Sequence, residues 1–232
     1  MAANTTVLES RTYVEEVLSH LPIARTTDYT KGQIIYGRNT LAKNIHLLVA
    51  GKVEISQISE DGSEVLLEVI RPDEFFGESS IIDNRQRCER SRAIENSVLM
   101  TWSVSEVEGI AMKQPRMAMA FLRILAQRNA EFSRRMESFA TDTIERRLAR
   151  ALIRFSERLG SREEDGAVAM MPLTHGMLGR YVGTSREIIT HHMTRLRKQG
   201  YISYSRKGIR LYSDALKAAF AIGTDASADT SS

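Results

Sequence analysis

Between Gly183 and Gly200 the chain reads Gly-Thr-Ser-Arg-Glu-Ile-Ile-Thr-His-His-Met-Thr-Arg-Leu-Arg-Lys-Gln-Gly, a set of side chains suited to reading nucleic acid. Arg186 offers a planar fork to the two acceptors of guanine, and Glu187 can accept from the cytosine amino group. Thr190 and His191 stand one helical turn further on. Thr184, Ser185, Arg195 and Lys198 supply the hydroxyls and cations that hold phosphates. Ile188, Ile189, Met193 and Leu196 recur at helical spacing, which predicts a helix with its apolar side turned away from the polar groups. Two plainer uses of these residues stay open. Helical hairpins commonly bury one face and solvate the other, and Glu187 can close a Thr-x-x-Glu capping box begun at Thr184.

Such a helix needs a partner to aim it. Upstream, residues 173–182 predict a short helix with Leu178, Tyr181 and Val182 inward, joined through Gly183 to the second helix at the dimensions of a helix-turn-helix. Downstream, residues 201–212 predict two strands about a Lys207-Gly208 turn, a wing whose Arg206 and Lys207 can touch a nucleic-acid backbone. From Leu173 to Tyr212 the basic residues Arg180, Arg186, Arg195, Arg197, Lys198, Arg206, Lys207 and Arg210 face a single acid, Glu187. That imbalance is the electrostatic footprint of phosphate binding; a merely solvated basic face usually has acids interspersed. His191 and His192, being adjacent, are expected on different helix faces and not as a metal site.

The other elements follow from periodicity. Val14, Val17, Leu18 and Leu21 predict a helix over 11–21, stopped by Pro22. Short branched runs at 33–36, 45–50, 52–57, 65–70 and 98–103, with a hairpin turn at Ser59–Ser63, predict an antiparallel jelly roll. Residues 75–92 interrupt it with Gly77-Glu78, a segment of one helical turn and four arginines, readable as an anion cradle or as an exposed basic loop. Leu122, Leu125, Asn129, Phe132, Met136 and Phe139 then follow the 3, 4 spacing of a heptad seam on a long helix. The seam predicts a parallel homodimer, packing against the chain's own barrel being the alternative. Residues 144–159 predict a further helix, 160–166 a charged loop and 223–232 a disordered tail.

With 232 residues the chain can bury two ordinary cores. Its net charge of +3 discriminates little between partners. No apolar run approaches the ~20 residues of a membrane span, and Met1-Ala-Ala-Asn-Thr-Thr is no signal pattern, so a cytoplasmic location without a membrane partner is expected. The single cysteine, Cys88, excludes an internal disulfide and reads as a small packed side chain or a redox sensor. No nucleophile elbow, metal-ligand spacing or carboxylate pair points to an enzyme.

This order of parts, with Lys31-Gly-Gln-Ile-Ile, Val49-Ala-Gly-Lys-Val, Phe76-Gly-Glu and Gly183-Thr-Ser-Arg-Glu, resembles the cyclic AMP receptor protein and fumarate-nitrate regulator (CRP/FNR) family of bacterial transcription factors. The resemblance implies an α+β chain: an N-terminal cyclic-nucleotide-binding-type β-roll (jelly roll) over 1–111, a long dimerisation helix over 112–140 and a C-terminal winged helix-turn-helix over 141–222. It implies a homodimer on a pseudo-palindromic double-stranded DNA site, with RNA polymerase as protein partner. Arg186 and Glu187 fall where the cyclic AMP receptor branch reads G·C pairs. His191 replaces a base-reading arginine, so a half-site related to TGTGA with an altered His191 contact is expected. In the ligand cassette the resemblance places Gly77, Glu78, Arg87 and Cys88, with Arg128 supporting Glu78 and Ser133 reaching across the dimer. Arg90-Ser91 offers a second register for the arginine. Cys88, Glu89 and Phe132 depart from the cassette's usual hydroxyl, alanine and threonine. Cyclic AMP or a related cyclic nucleotide therefore stays open as effector, beside another small ligand, no ligand, or a nucleotide sensor acting through protein partners only. One cysteine is too few for the iron-sulfur cluster of the fumarate-nitrate branch.

Overall fold

The computed structural model describes residues 11–37, 40–82 and 89–223. They divide into two compact units, one holding the described residues up to Glu131 and the other those from Phe132.

In the first unit helix α1 covers residues 11–18. Eight strands follow: β1 (Thr26–Tyr29), β2 (Ile34–Tyr36), β3 (Asn44–Ala50), β4 (Val53–Ile58), β5 (Glu64–Ile70), β6 (Glu74–Phe76), β7 (Glu89–Ala93) and β8 (Ser97–Ser103). They form two four-stranded antiparallel sheets, ordered β1-β8-β3-β6 and β2-β7-β4-β5. The β4–β5 connection is the expected hairpin, closed by the Ser59 amide donating to the Ser63 carbonyl at 2.9 Å. Leu48, Val53, Ile55, Ile70, Phe76 and Leu99 make one core with Tyr36. A second core joins Val14 and Val17 of α1 to Ile45, Phe75, Trp102 and Phe121. Each fully buried Phe or Ile contributes roughly 1.5–3 kcal/mol of burial free energy.

Three strands, β1, β6 and β7, were not foreseen. In β7 the reason is explicit: Arg90 pairs with Glu64 of β5 and Arg92 with the buried Glu54 of β4. Charge pairing across strands conceals an element that apolar alternation does not mark. Helix α2 (Val104–Ala111) starts at a capping box in which Ser103 and Glu106 satisfy each other's amides. Helix α3 (Pro115–Thr141) runs through the division at Glu131 and Phe132.

The second unit contains α4 (Ile144–Leu159), at the bounds the pattern predicts, then β9 (Gly160–Arg162), β10 (Val168–Met170), α5 (His175–Val182), α6 (Arg186–Lys198), β11 (Ile202–Ser205), β12 (Gly208–Leu211) and α7 (Ser213–Ala219). Of the expected charged loop at 160–166, residues 160–162 form β9 and the rest lies in the turn of a β9–β10 hairpin. The wing accordingly has four antiparallel strands, in the order β11-β12-β10-β9. Phe155 of α4 packs on Tyr181 of α5 with ring centres 4.7 Å apart. The expected disordered tail lies outside the described residues from position 224. Among the described residues no helix is long and apolar enough to cross a membrane.

Candidate functional site

Helix α6 is fixed at its start by Ser185, whose Oγ accepts from the Ile188 amide at 3.4 Å. The cap is Ser185, so the alternative of a capping box begun at Thr184 does not hold; the Thr184 amide donates to the Gly179 carbonyl at 3.0 Å. Glu187 accepts from its own amide and from the Ser185 hydroxyl, which hold its carboxyl below the usual range. Gly183 closes α5 at φ 75°, and a Cβ there would lie 2.9 Å from the Phe139 ring. Only glycine meets both demands without strain.

The inward face of α6 is Ile189, Met193 and Leu196. Ile188, expected with them, is 39 % exposed: at about 3.6 residues per turn two neighbours cannot both point inward. Arg186, Glu187, Thr190, His191 and Lys198 are exposed, and the wing tip adds exposed Arg206 and Lys207. Several basic and hydroxyl groups of the cluster are engaged within the chain. Arg195 is paired with Glu145 of α4, and Arg210, counted in the basic cluster, is held by Glu163 at 2.6 Å and Asp165 at 2.8 Å. The Thr190 hydroxyl donates to the Arg186 carbonyl at 2.8 Å and so accepts from Nδ1 of His175 at 2.8 Å, tying α6 to α5. His191 is exposed and His192 half-buried, and their rings meet edge to face at 5.4 Å. Burial, then His191, lowers the pKa of His192, and burial, then Arg186, lowers that of His175. Among the described residues no cluster of three or more His, Cys, Asp or Glu is placed to hold a metal ion.

In the first unit Gly77, at φ 83°, opens a single 3-10 turn over Glu78–Ile81. Ser80 Oγ braces it by donating to the Gly77 carbonyl at 2.6 Å. Glu78 is paired with Arg128 of α3, which also donates to the Phe75 carbonyl at 2.7 Å. Burial opposes the charge of Arg128, but Glu78, with Glu74 and Glu68 behind it, outweighs that and raises its pKa above the ordinary guanidinium value. Arg87 and Cys88 lie outside the described residues. Glu89 opens β7 and turns its carboxylate to the same turn, where Oε1 accepts from the Ser79 hydroxyl at 3.0 Å and from the Tyr36 hydroxyl at 2.9 Å. The roles of Tyr36 and Ser79 escaped the sequence, because they join elements far apart in the chain. The Gly77 turn and the Glu78–Arg128 pair suit a ribose hydroxyl, and the Glu89 carboxylate stands at the adjoining Ser79.

Along α3, Leu122 is 56 % and Met136 68 % exposed, and Asn129 and Ser133 are exposed. Leu125 is half-buried against the roll, and Phe132 is half-buried. Phe139, also expected on the seam, is half-buried. Its ring lies beneath the guanidinium groups of Arg135, at 5.5 Å, and Arg147, at 5.2 Å, and beside Gly183. Those neighbours are its own chain's.

These two sites coincide with two family models. A cyclic nucleotide-binding domain model matches residues 26–114, and a Crp-like helix-turn-helix domain model matches residues 146–218. Transcriptional regulator SdrP of Thermus thermophilus is 30 % identical over 67 % of this chain and 72 % of its own length. The CRP-like cAMP-activated global transcriptional regulator of Mycobacterium tuberculosis is 24 % identical over 81 % of this chain and 84 % of its own. A solved structure of a CRP/FNR-family transcriptional regulator from Thermus thermophilus superposes with a TM-score of 0.68 at 28 % identity, covering 84 % of this chain and 97 % of that one. A β-roll bearing the Gly77-Glu78 turn, a long helix and a capped helix pair with a wing are thus matched in order and extent, and the chain belongs to the CRP/FNR family of transcriptional regulators.

Proposed function

We propose that the protein is a homodimer that reads a pseudo-palindromic DNA site with α6 and is controlled through its β-roll. The observation that carries the DNA reading is the exposed row Arg186, Glu187, His191 and Lys198 on a helix capped at Ser185, with Arg206 and Lys207 at the wing tip of the same unit. A recognition helix enters the major groove by its N-terminal turn, where Arg186 and Glu187 stand, while Lys198 and the wing meet phosphates. Exposed Leu122 and Met136 on α3 support a second copy as partner, since apolar side chains at heptad spacing gain by being covered. RNA polymerase is the expected protein partner at the DNA. Titration of a palindromic duplex and a random duplex over a salt series tests the reading. Specific binding that falls steeply with salt is expected. Binding absent at every salt concentration would instead leave a module acting through protein partners only.

For the β-roll, cyclic AMP is the effector named for the mycobacterial relative. The alternative is the same DNA-reading dimer answering to another ligand or to none. One observation favours it: the Glu89 carboxylate bonded to the turn that carries Gly77 and Glu78.

A further inference from the structure

We infer that His175 couples DNA binding to pH: it ties α6 to α5 and to the wing, and its remaining ring nitrogen, Nε2, takes up a proton as phosphates approach α6. The inference rests on the proposed reading of DNA by α6.

His175 opens α5 directly behind the Thr174 cap. Its Nδ1 lies 2.8 Å from Thr190 Oγ1 on α6, and that hydroxyl already gives its proton to the Arg186 carbonyl, also at 2.8 Å. A hydroxyl has one proton to give, so the ring is the donor, and Nδ1 keeps its hydrogen whether the imidazole is neutral or charged. The same ring meets Tyr204 of β11 edge to face at 5.7 Å, and the Arg197 guanidinium of α6 lies over that tyrosine at 5.2 Å. One imidazole therefore joins the first helix of the pair, the reading helix and the wing. Among the described residues nothing is hydrogen-bonded to its Nε2. Protonation turns that nitrogen from an acceptor into a charged donor while the bond to Thr190 stays in place.

In the free protein the surroundings oppose that proton. His175 is half-buried, and burial, then the charge of Arg186, holds its pKa below the ordinary 6.5. Neither His175 nor Arg186 is ion-paired with a carboxylate among the described residues. Glu187, beside Arg186, has its carboxyl engaged by its own amide and the Ser185 hydroxyl. The other charged or titratable groups of α6 are His191, His192, Arg195, Arg197 and Lys198; α5 has Arg180 and Tyr181, and β11 has Tyr204. None of these is a carboxylate, and α4 meets α5 only in its last turn, through Phe155 on Tyr181. Arg186, whose charge reaches His175, stands in the turn that enters the groove, so the flanking phosphates come to both residues. They supply the negative charge that the site lacks, offset Arg186 and favour the imidazolium. A proton held more tightly in the complex strengthens it below the free-state pKa, and that contribution fades as pH rises through the bound-state value. Affinity for DNA thus rises as the pH falls.

Fluorescence anisotropy with a labelled palindromic duplex, from about pH 8 to about pH 6, tests this on the full chain as wild type and as His175→Asn. Asparagine keeps an amide donor near the place of Nδ1 and has nothing at Nε2. The tightening of binding over that range should be at least about threefold greater for the wild type than for the variant, a ratio from which the shares of His191 and His192 cancel. An equal loss of affinity at every pH would reduce His175 to a packing residue and overturn the inference, as would a variant that responds to pH like the wild type. Should the variant fail to fold, the ring resonances of histidine-labelled wild type decide: His175 must titrate at a higher pH with DNA bound than without it, and an unmoved titration overturns the inference. Specific binding that ignores pH sinks the inference alone, whereas no specific binding at any pH sinks the proposed function and the inference with it.

Discussion

At the scale of single residues, exposure and pairing separate the groups able to read bases from those already used by the fold. Arg186 is exposed in the first turn of α6, whereas Lys198 lies three turns on, where a helix in the groove meets the backbone. Arg186→Ala should cost about 1–3 kcal/mol of discrimination at one base pair, and Lys198→Ala should weaken all sequences alike and reduce the salt slope by about one. Competition binding against single-base variants of the site checks both, and equal losses on specific and random DNA for Arg186→Ala would refute its assignment. The two lowered histidines make a second expectation. His175 and His192 have pKa values below the ordinary 6.5, chiefly through burial. The unfolded chain therefore takes up protons that the folded unit refuses, and stability rises with pH across that interval. Urea midpoints of the C-terminal unit should fall as the pH is lowered through 6.5 and level off below the folded-state values. His175→Gln and His192→Gln together should flatten the slope, and an unchanged slope would mean that neither ring is the source.

At the scale of elements, the helix pair turns at Gly183. A side chain there must adopt φ 75° and displace the Phe139 ring, which is itself held by Arg135 and Arg147. Gly183→Ala should destabilise the C-terminal unit by about 1–2 kcal/mol from the left-handed backbone alone, with Gly183→Asn less harmful. Denaturant midpoints measure the difference, and an alanine variant as stable as the wild type would show that the turn can relax. Gly183 also shows what the sequence can reveal. Helices α4, α5 and α6 and the β4–β5 hairpin were legible because each carries its own local signal: apolar spacing, a cap or a turn residue. Strand β7 was not, because Glu89, Arg90 and Arg92 make sense only beside Tyr36, Glu64 and Glu54 on other strands. For the same reason the reading of the basic cluster on α6 and the wing overcounted its free cations: Arg195 meets Glu145 and Arg210 meets Glu163, acids distant in the chain. A base-reading face can be recognised from helical period, whereas a neutralised one needs the tertiary fold.

At the scale of the whole molecule, the reading of DNA by a two-fold dimer makes a geometric demand that no single unit makes. Leu122 and Met136 are exposed at seam positions of α3, while Phe139 is taken up by its own chain. In the proposed dimer the second copy would therefore cover the helix between Leu122 and Met136. A dimer joined there presents two copies of α6 to half-sites whose centres lie one helical turn apart, about 10 bp. Inserting about 5 bp between the half-sites turns one of them to the opposite side of the duplex, and affinity should drop on the order of 10³-fold, toward the non-specific level. Met136→Glu places like charges at the seam and should produce the same loss on the unaltered site, with sedimentation reporting a monomer. If the lengthened site is bound as tightly as the original, each copy reads its half-site independently and the two-fold arrangement is wrong. If only Met136→Glu is without effect, the dimer stands but its seam lies nearer Leu122.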